Sequence, residues 1–156
     1  ELARLLVGRP LHVVTNSLPL ANLFASDIHS DLVYIGGNIS TRTGVSQGPY
    51  ADAMIASLRV RKLVLSVASI NDEGFFNNDL LLAQTERAMM KAADQVIVVA
   101  DSSKFGHRSL THLCALGDVQ CLVVDHEIDP TWCQKLEAAG VQVLVAAPSR
   151  QVVAKD

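Results

Sequence analysis

The stretch Val96-Ile97-Val98-Val99-Ala100-Asp101-Ser102-Ser103-Lys104-Phe105-Gly106 breaks off an apolar run at a cluster of groups able to hold an anion. Its β-favouring residues suit a buried strand, and a polar cluster directly after one is how an open α/β sheet places chemistry at a strand's carboxyl end. Lys104 supplies a point charge, Ser102 and Ser103 supply hydroxyl and amide donors, and Gly106 lets the backbone turn. A phosphate or carboxylate is the guest these parts suit. An acidic enzyme site can use the same parts.

Other polar clusters also follow apolar runs. In Val13-Val14-Thr15-Asn16-Ser17-Leu18-Pro19 a strand ends on small polar residues and a helix follows. Asn16 or Ser17 is a good N-cap, and the amides beyond it form a partial positive end; capping alone also accounts for them. Gly36 and Gly37, after Tyr34-Ile35, allow a tight turn or close backbone approach to a ligand. Residues 66–78 read as a polar loop in which Asp72 and Glu73 could supply a base, although carboxylates in such a loop are commonly just solvated. The G-x-G-x-x-G and P-loop fingerprints are absent, so no cofactor is implied.

Among the histidines, His12, His29, His107, His112 and His126 show no metal-ligand spacing, and only His107 lies close to Lys104 in sequence. Cys114, Cys121 and Cys133 are odd in number and contain no C-x-x-C pair, which points away from a disulfide framework or zinc site and toward a reduced cytoplasmic setting.

These clusters need elements to hold them. Apolar runs recur at Leu11 to Val14, Leu32 to Ile35, Leu63 to Val67, Val96 to Ala100, Leu122 to Val124 and Val141 to Val145. Their spacing of roughly 20 to 34 residues leaves room for crossover helices, the βαβ signature of a parallel sheet. Asp129-Pro130 opens a helix and Gly140 closes it, with Trp132, Leu136 and Ala139 predicted to face the sheet together. A second helix is predicted from Asp79 to Ala93, capped by Asn78 or Asp79, with Leu81, Thr85, Ala88, Met89 and Ala92 as its buried stripe. The chain's 156 residues, 49% hydrophobic, fit one compact domain, and a net charge of -3 leaves no electrostatic footprint for DNA or an anionic membrane. The longest apolar runs fall short of the roughly 20 residues that span a bilayer. Glu1-Leu2-Ala3-Arg4-Leu5-Leu6 reads like the middle of a helix, so further chain is expected upstream, and Pro148 to Asp156 reads as a polar tail.

Taken in order, Val13-Val14-Thr15-Asn16-Ser17-Leu18-Pro19, Gly36-Gly37, Gly48 before a helix, Asp72-Glu73-Gly74-Phe75, Arg87-Ala88-Met89 and Ala100-Asp101-Ser102-Ser103-Lys104-Phe105-Gly106 resemble the C-terminal sensor domain of the DeoR family of bacterial transcriptional repressors. The resemblance covers nearly the whole chain. It implies an α/β fold similar to ribose-5-phosphate isomerase and CoA-transferase, with a mostly parallel sheet and helices on both faces. It also implies a sensor domain over residues 1–147, a tail over 148–156, and a winged helix-turn-helix upstream through which alone DNA would be bound. The implied partner is a phosphorylated sugar or polyol effector, and the implied assembly is a cytoplasmic homo-oligomer with no membrane contact.

Carried over by position, the ligand-binding set is Thr15, Asn16, Ser17, Gly36, Gly37, Gly74, Phe75, Asp101 and Lys104. No catalytic residue and no metal ligand are implied. The family's Asp-x-Gly-Thr-Thr phosphate loop would lie just before Glu1. Ser66 and Ser69 stand where the family commonly has glycines, and Gln84 stands where it often has an acidic side chain. Two other functions use the same fold and residues: a sugar-phosphate isomerase with Asp72 or Glu73 as base and Lys104 stabilising an enediolate, and a dimerisation scaffold that binds no metabolite.

Overall fold

A computed structural model describes residues 1–147; the expected polar tail over 148–156 lies outside the described residues. The chain divides into two compact units, the first built from Glu1–Arg59 and Gln84–Ala92, the second from Val60–Ala83 and the chain from Ala93 onward.

In the first unit, β1 (His12–Thr15) leads into α1 (Leu18–Phe24), and β2 (Asp31–Tyr34) returns parallel to β1, with His12 opposite Asp31 and Thr15 opposite Tyr34. Ser17 caps α1 by accepting from the Leu20 amide, and Pro19 presets its first turn. A hairpin of β3 (Asn38–Ser40) and β4 (Val45–Gln47) precedes α2 (Pro49–Ala56). The core joins Ile35, Ala51, Ile55 and Ala92, with Val14, Met54, Leu58, Ala88 and Met89 packed against it.

The second unit begins with β5 (Val60–Leu65) and the hairpin of β6 (Ser69–Asn71) and β7 (Gly74–Asn77). After α3 (Leu80–Ala92) come β8 (Ala93–Val99), β9 (Thr111–Cys114), β10 (Cys121–Val124), α4 (Pro130–Ala138) and β11 (Gln142–Val145). Strands β11, β10, β8 and β5 form an all-parallel sheet in that order, while β6, β7 and β9 form an antiparallel one. In β8, Val96 and Val98 are buried while Ile97 and Val99 are less so, the period-2 alternation that gives a strand two different faces.

All the apolar runs read from the sequence form strands in parallel pairs. The loop expected over 66–78 is instead largely the β6–β7 hairpin, turning at Asp72 and Glu73 and paired onto β9. Its strands are short and polar at their ends, so they lack the continuous apolar run that marks the parallel strands. Asp79 caps α3 by accepting from Leu82, but Leu81 is 46% exposed and leaves the expected stripe, whose place Ala83 and Glu86 share with Thr85 and Ala92.

Asp129 caps α4 and Gly140 follows it at φ 86°, as expected. The helix buries Leu136, whereas Ala139 is exposed and Trp132 is only half-buried. Trp132 lies 5.4 Å from the Phe105 ring and carries the Lys135 ammonium 4.5 Å above its own ring, a cation–π contact that suits a partly wet indole.

The sharpest steric constraint is at Gly74, which has φ 135° and would place a Cβ 2.1 Å from the Cys114 carbonyl oxygen. Gly74→Ala should therefore cost about 2 kcal/mol or more in urea unfolding. Gly36→Ala, with nothing within 4 Å of its Cβ position, should cost far less. At α4, the Thr131 amide, then its hydroxyl, holds the Asp129 carboxyl below its ordinary value. The cap's stabilisation is thus fully present above the unfolded value of 3.8 and is lost as pH falls through the lower folded value. Melting curves should show Asp129→Ala below wild type at neutral pH, the gap closing on strong acidification.

Candidate functional site

The first unit gathers polar groups around buried Ser46. Its amide donates to the Asn16 carbonyl at 2.8 Å, its carbonyl accepts from Asn16 Nδ2 at 2.8 Å, and its hydroxyl pairs with the Tyr34 hydroxyl at 2.8 Å. Thr15 Oγ1 accepts from the Ser17 amide at 3.1 Å, which tightens the turn out of β1. The Thr15-Asn16-Ser17 turn is thereby tied to β4 and to the end of β2. Asn16 and Ser17 remain half-buried, and Thr15 is buried.

Gly37 sits against the start of α2. A Cβ there would lie 3.1 Å from Ala51 Cβ and 3.3 Å from both the Ala51 amide nitrogen and the Gln47 carbonyl oxygen, at a φ of 149°. Gly36 has no such neighbour. The N-cap of α2 is Gly48, which has no side chain to cap with, and the buried Thr85 hydroxyl does the job from another element. Thr85 Oγ1 accepts from the Gly48 amide at 3.2 Å and donates to Asp52 Oδ1 at 2.6 Å, while Gln84 Nε2 donates to Asp52 Oδ2 at 2.9 Å. Gln84, a departure from the family pattern, thus holds a carboxylate that an acidic residue there would repel.

The second unit has its own group at the carboxyl ends of β8 and β10. Asp101 caps the short 3-10 turn Ser102–Lys104, accepting from the Ser103 amide at 3.1 Å and from the Ser103 hydroxyl. The Ser102 amide donates to Asp125 Oδ2 at 2.6 Å, and the Lys104 amide donates to the Asp101 carbonyl at 3.1 Å. Downstream, the Gly106 amide donates to the Ile70 carbonyl at 2.9 Å, and Ser69 and Ser109 pair through their hydroxyls at 2.8 Å. The amides expected to greet an anion are therefore already spent within the protein. What the turn leaves over is half-buried Lys104, whose charge acts on Asp101.

Both carboxylates are held ionised. The Ser103 hydroxyl lowers the Asp101 pKa, with the Lys104 charge adding to it, and the Ser102 amide does most to lower that of Asp125.

Of the expected residues, Thr15, Asn16 and Ser17 share one hydrogen-bonded turn with Ser46 beside it, Gly37 lines the start of α2, and Asp101 and Lys104 share the 3-10 turn. Gly74 and fully buried Phe75 carry packing duties, Gly74 in its approach to Cys114 and Phe75 in the core. Asp72 pairs with Lys135 at 2.5 Å and Glu73 with Arg108 at 3.4 Å, so both hairpin carboxylates face cations rather than a reacting centre. Among the described residues, no group of three or more His, Cys, Asp or Glu could hold a metal ion, and no helix is long and apolar enough to cross a membrane. Sequence reading missed Ser46, Tyr34, Asp52 and Asp125. Asp125 had a legible signal, since it follows β10 just as Asp101 follows Val99-Ala100.

Comparison with known proteins converges on one family. The chain is 28% identical over 145 residues to the HTH-type transcriptional regulator UlaR of Escherichia coli K12 (strain DH10B), and equally to those of Escherichia coli O1:K1 and Shigella boydii serotype 18. The match covers 92% of this chain and 57% of each relative, so the chain spans little more than half the length of the curated relatives it matches. The family model described as the DeoR C terminal sensor domain matches residues 1–126, and the chain belongs to that family.

Proposed function

We propose that this chain is the effector-binding part of a transcription regulator and that its effector is a small phosphorylated sugar or polyol. The observation that carries the reading is Lys104: its ammonium, half-buried at the end of a central strand and beside Asp101, takes no ion pair or hydrogen bond within the described residues. An ammonium flanked by a carboxylate suits a ligand that carries both negative charge and hydroxyl groups, because the cation meets the charge and the carboxylate accepts from hydroxyls. Thr15, Asn16, Ser17, Gly36 and Gly37 belong to the proposed binding set in the first unit. Gly74 and Phe75, in the set on the same resemblance, lie in the second unit with Asp101 and Lys104.

In the whole protein, DNA contact belongs to a helix-turn-helix outside this chain, in keeping with relatives named HTH-type regulators and with a net charge of -3 here. Effector binding would shift the protein between forms of different DNA affinity, for which a coupling of about 1–3 kcal/mol suffices. The setting is cytoplasmic and the assembly a homo-oligomer. The pairing of Asp72 and Glu73 with Lys135 and Arg108 weighs against the isomerase alternative.

A thermal-shift panel of pentose, hexose and polyol phosphates tests the reading. A true effector at 100 times its Kd should add about 2.7 kcal/mol of stability. Flat melts across the panel would favour a scaffold, and turnover of ribose 5-phosphate would favour the enzyme. Lys104→Ala should weaken the responding ligand by about 10- to 100-fold, the loss of one charge-assisted contact, with an unchanged ligand-free melting temperature. Calorimetry giving the wild-type affinity would remove Lys104 from the site.

A further inference from the structure

We propose that Asp125 is a positioning residue of this ligand site, holding the Asp101–Lys104 turn in its binding geometry from the neighbouring strand; the inference rests on the function proposed above. A 3-10 turn of three residues closes few bonds of its own. Here the Lys104 and Phe105 amides return to the carbonyls of Asp101 and Ser102, and the Ser103 amide goes to the Asp101 side chain. The Ser102 amide, first donor of the turn, has no acceptor inside it. Asp125, twenty-three positions along the chain, takes that donor at 2.6 Å.

Asp125 is itself held at both oxygens, because Oδ1 accepts from the Glu127 amide at 2.9 Å. It follows β10 directly, and β10 is in register with β8, Val123 lying opposite Val99. The turn is therefore anchored twice. Upstream, Asp125 holds Ser102; downstream, Gly106 donates to Ile70 and buried Phe105 bridges to the same residue. Lys104 lies between the two anchors. Removing the upstream one frees the segment that carries both Asp101 and Lys104, and an ammonium displaced by about 1 Å loses most of its directed contact. The same bond withholds the Ser102 amide from the ligand, so recognition falls to side chains.

The conservative variant separates positioning from charge. Asparagine keeps an oxygen that accepts from the Ser102 amide, through a neutral bond roughly half as strong as the ionised one. Alanine keeps nothing. Asp129→Ala serves as the control, since it removes a carboxylate that caps α4 and has no bond to the turn.

The experiment uses the full-length protein and the sugar or polyol phosphate that gives the largest wild-type thermal shift, with calorimetric titration and amide NMR. Asp125→Ala should weaken binding by about tenfold or more, Asp125→Asn should recover most of it, and Asp129→Ala should bind as wild type despite its lower melting temperature. Acidifying the ligand-free wild type should move the Ser102 amide resonance with a midpoint below 3.8, and Asp125→Asn should reduce that movement to the part contributed by Asp101, the preceding residue, whose pKa is also lowered. Wild-type affinity in Asp125→Ala, or equal weakening in the Asp129→Ala control, would overturn the positioning role and leave the sensor reading standing. Failure of every sugar and polyol phosphate to bind wild type would overturn both.

Discussion

Parallel pairing of β8 with β5 on one side and β10 on the other is the constraint on which the second unit's chemistry depends. Leu65 lies opposite Val98, and Val123 opposite Val99, so all three strands run out toward one edge of the sheet. Only a parallel arrangement brings three carboxyl ends together without a hairpin closing over them. Asp101 and Asp125 are neighbours for that reason, although far apart in sequence. The apolar alternation that buries Val96, Val98, Leu122 and Val124 fixes the register, since a slip of one residue would turn every side chain to the opposite face.

The first unit solves a similar problem with less sheet. Two parallel strands cannot bury much, and Ser46, Thr85 and Asp52 take over the work of fixing turns. Ser46 gives backbone and hydroxyl to partners on two different elements, so the Thr15-Asn16-Ser17 turn and Tyr34 hold one another in place. Thr85 caps a helix whose own N-cap is glycine. Gly48 has φ 88°, a backbone that strains any residue with a side chain, so the capping hydroxyl comes from Thr85 and ties the start of α2 to α3.

What was legible in the sequence follows from locality. The parallel strands were readable because each is an apolar run, and α4 because Asp129-Pro130 and Gly140 announce both of its ends. Trp132 misled, because a helical stripe says which residues share a face and not how deeply each is covered; Phe105 and Lys135 leave the indole half in water. The β6–β7 hairpin escaped because its stability comes from β9, contributed much later in the chain. The site divided the same way. Asp101 and Lys104 stand in one short motif, while Asp125 and Ser46 matter only through partners that tertiary structure supplies, although Asp125's place after a strand could have flagged it.

The core of the first unit also has an implication for how the protein is made. Ile35, Ala51 and Ile55 close on Ala92, which belongs to the second half of α3 and is synthesised only after β5, β6 and β7. A chain emerging from the ribosome therefore holds the early strands with an open core while the other unit has already begun. Neither unit can be finished by vectorial, end-to-end folding, and no single cut in the chain releases one of them whole.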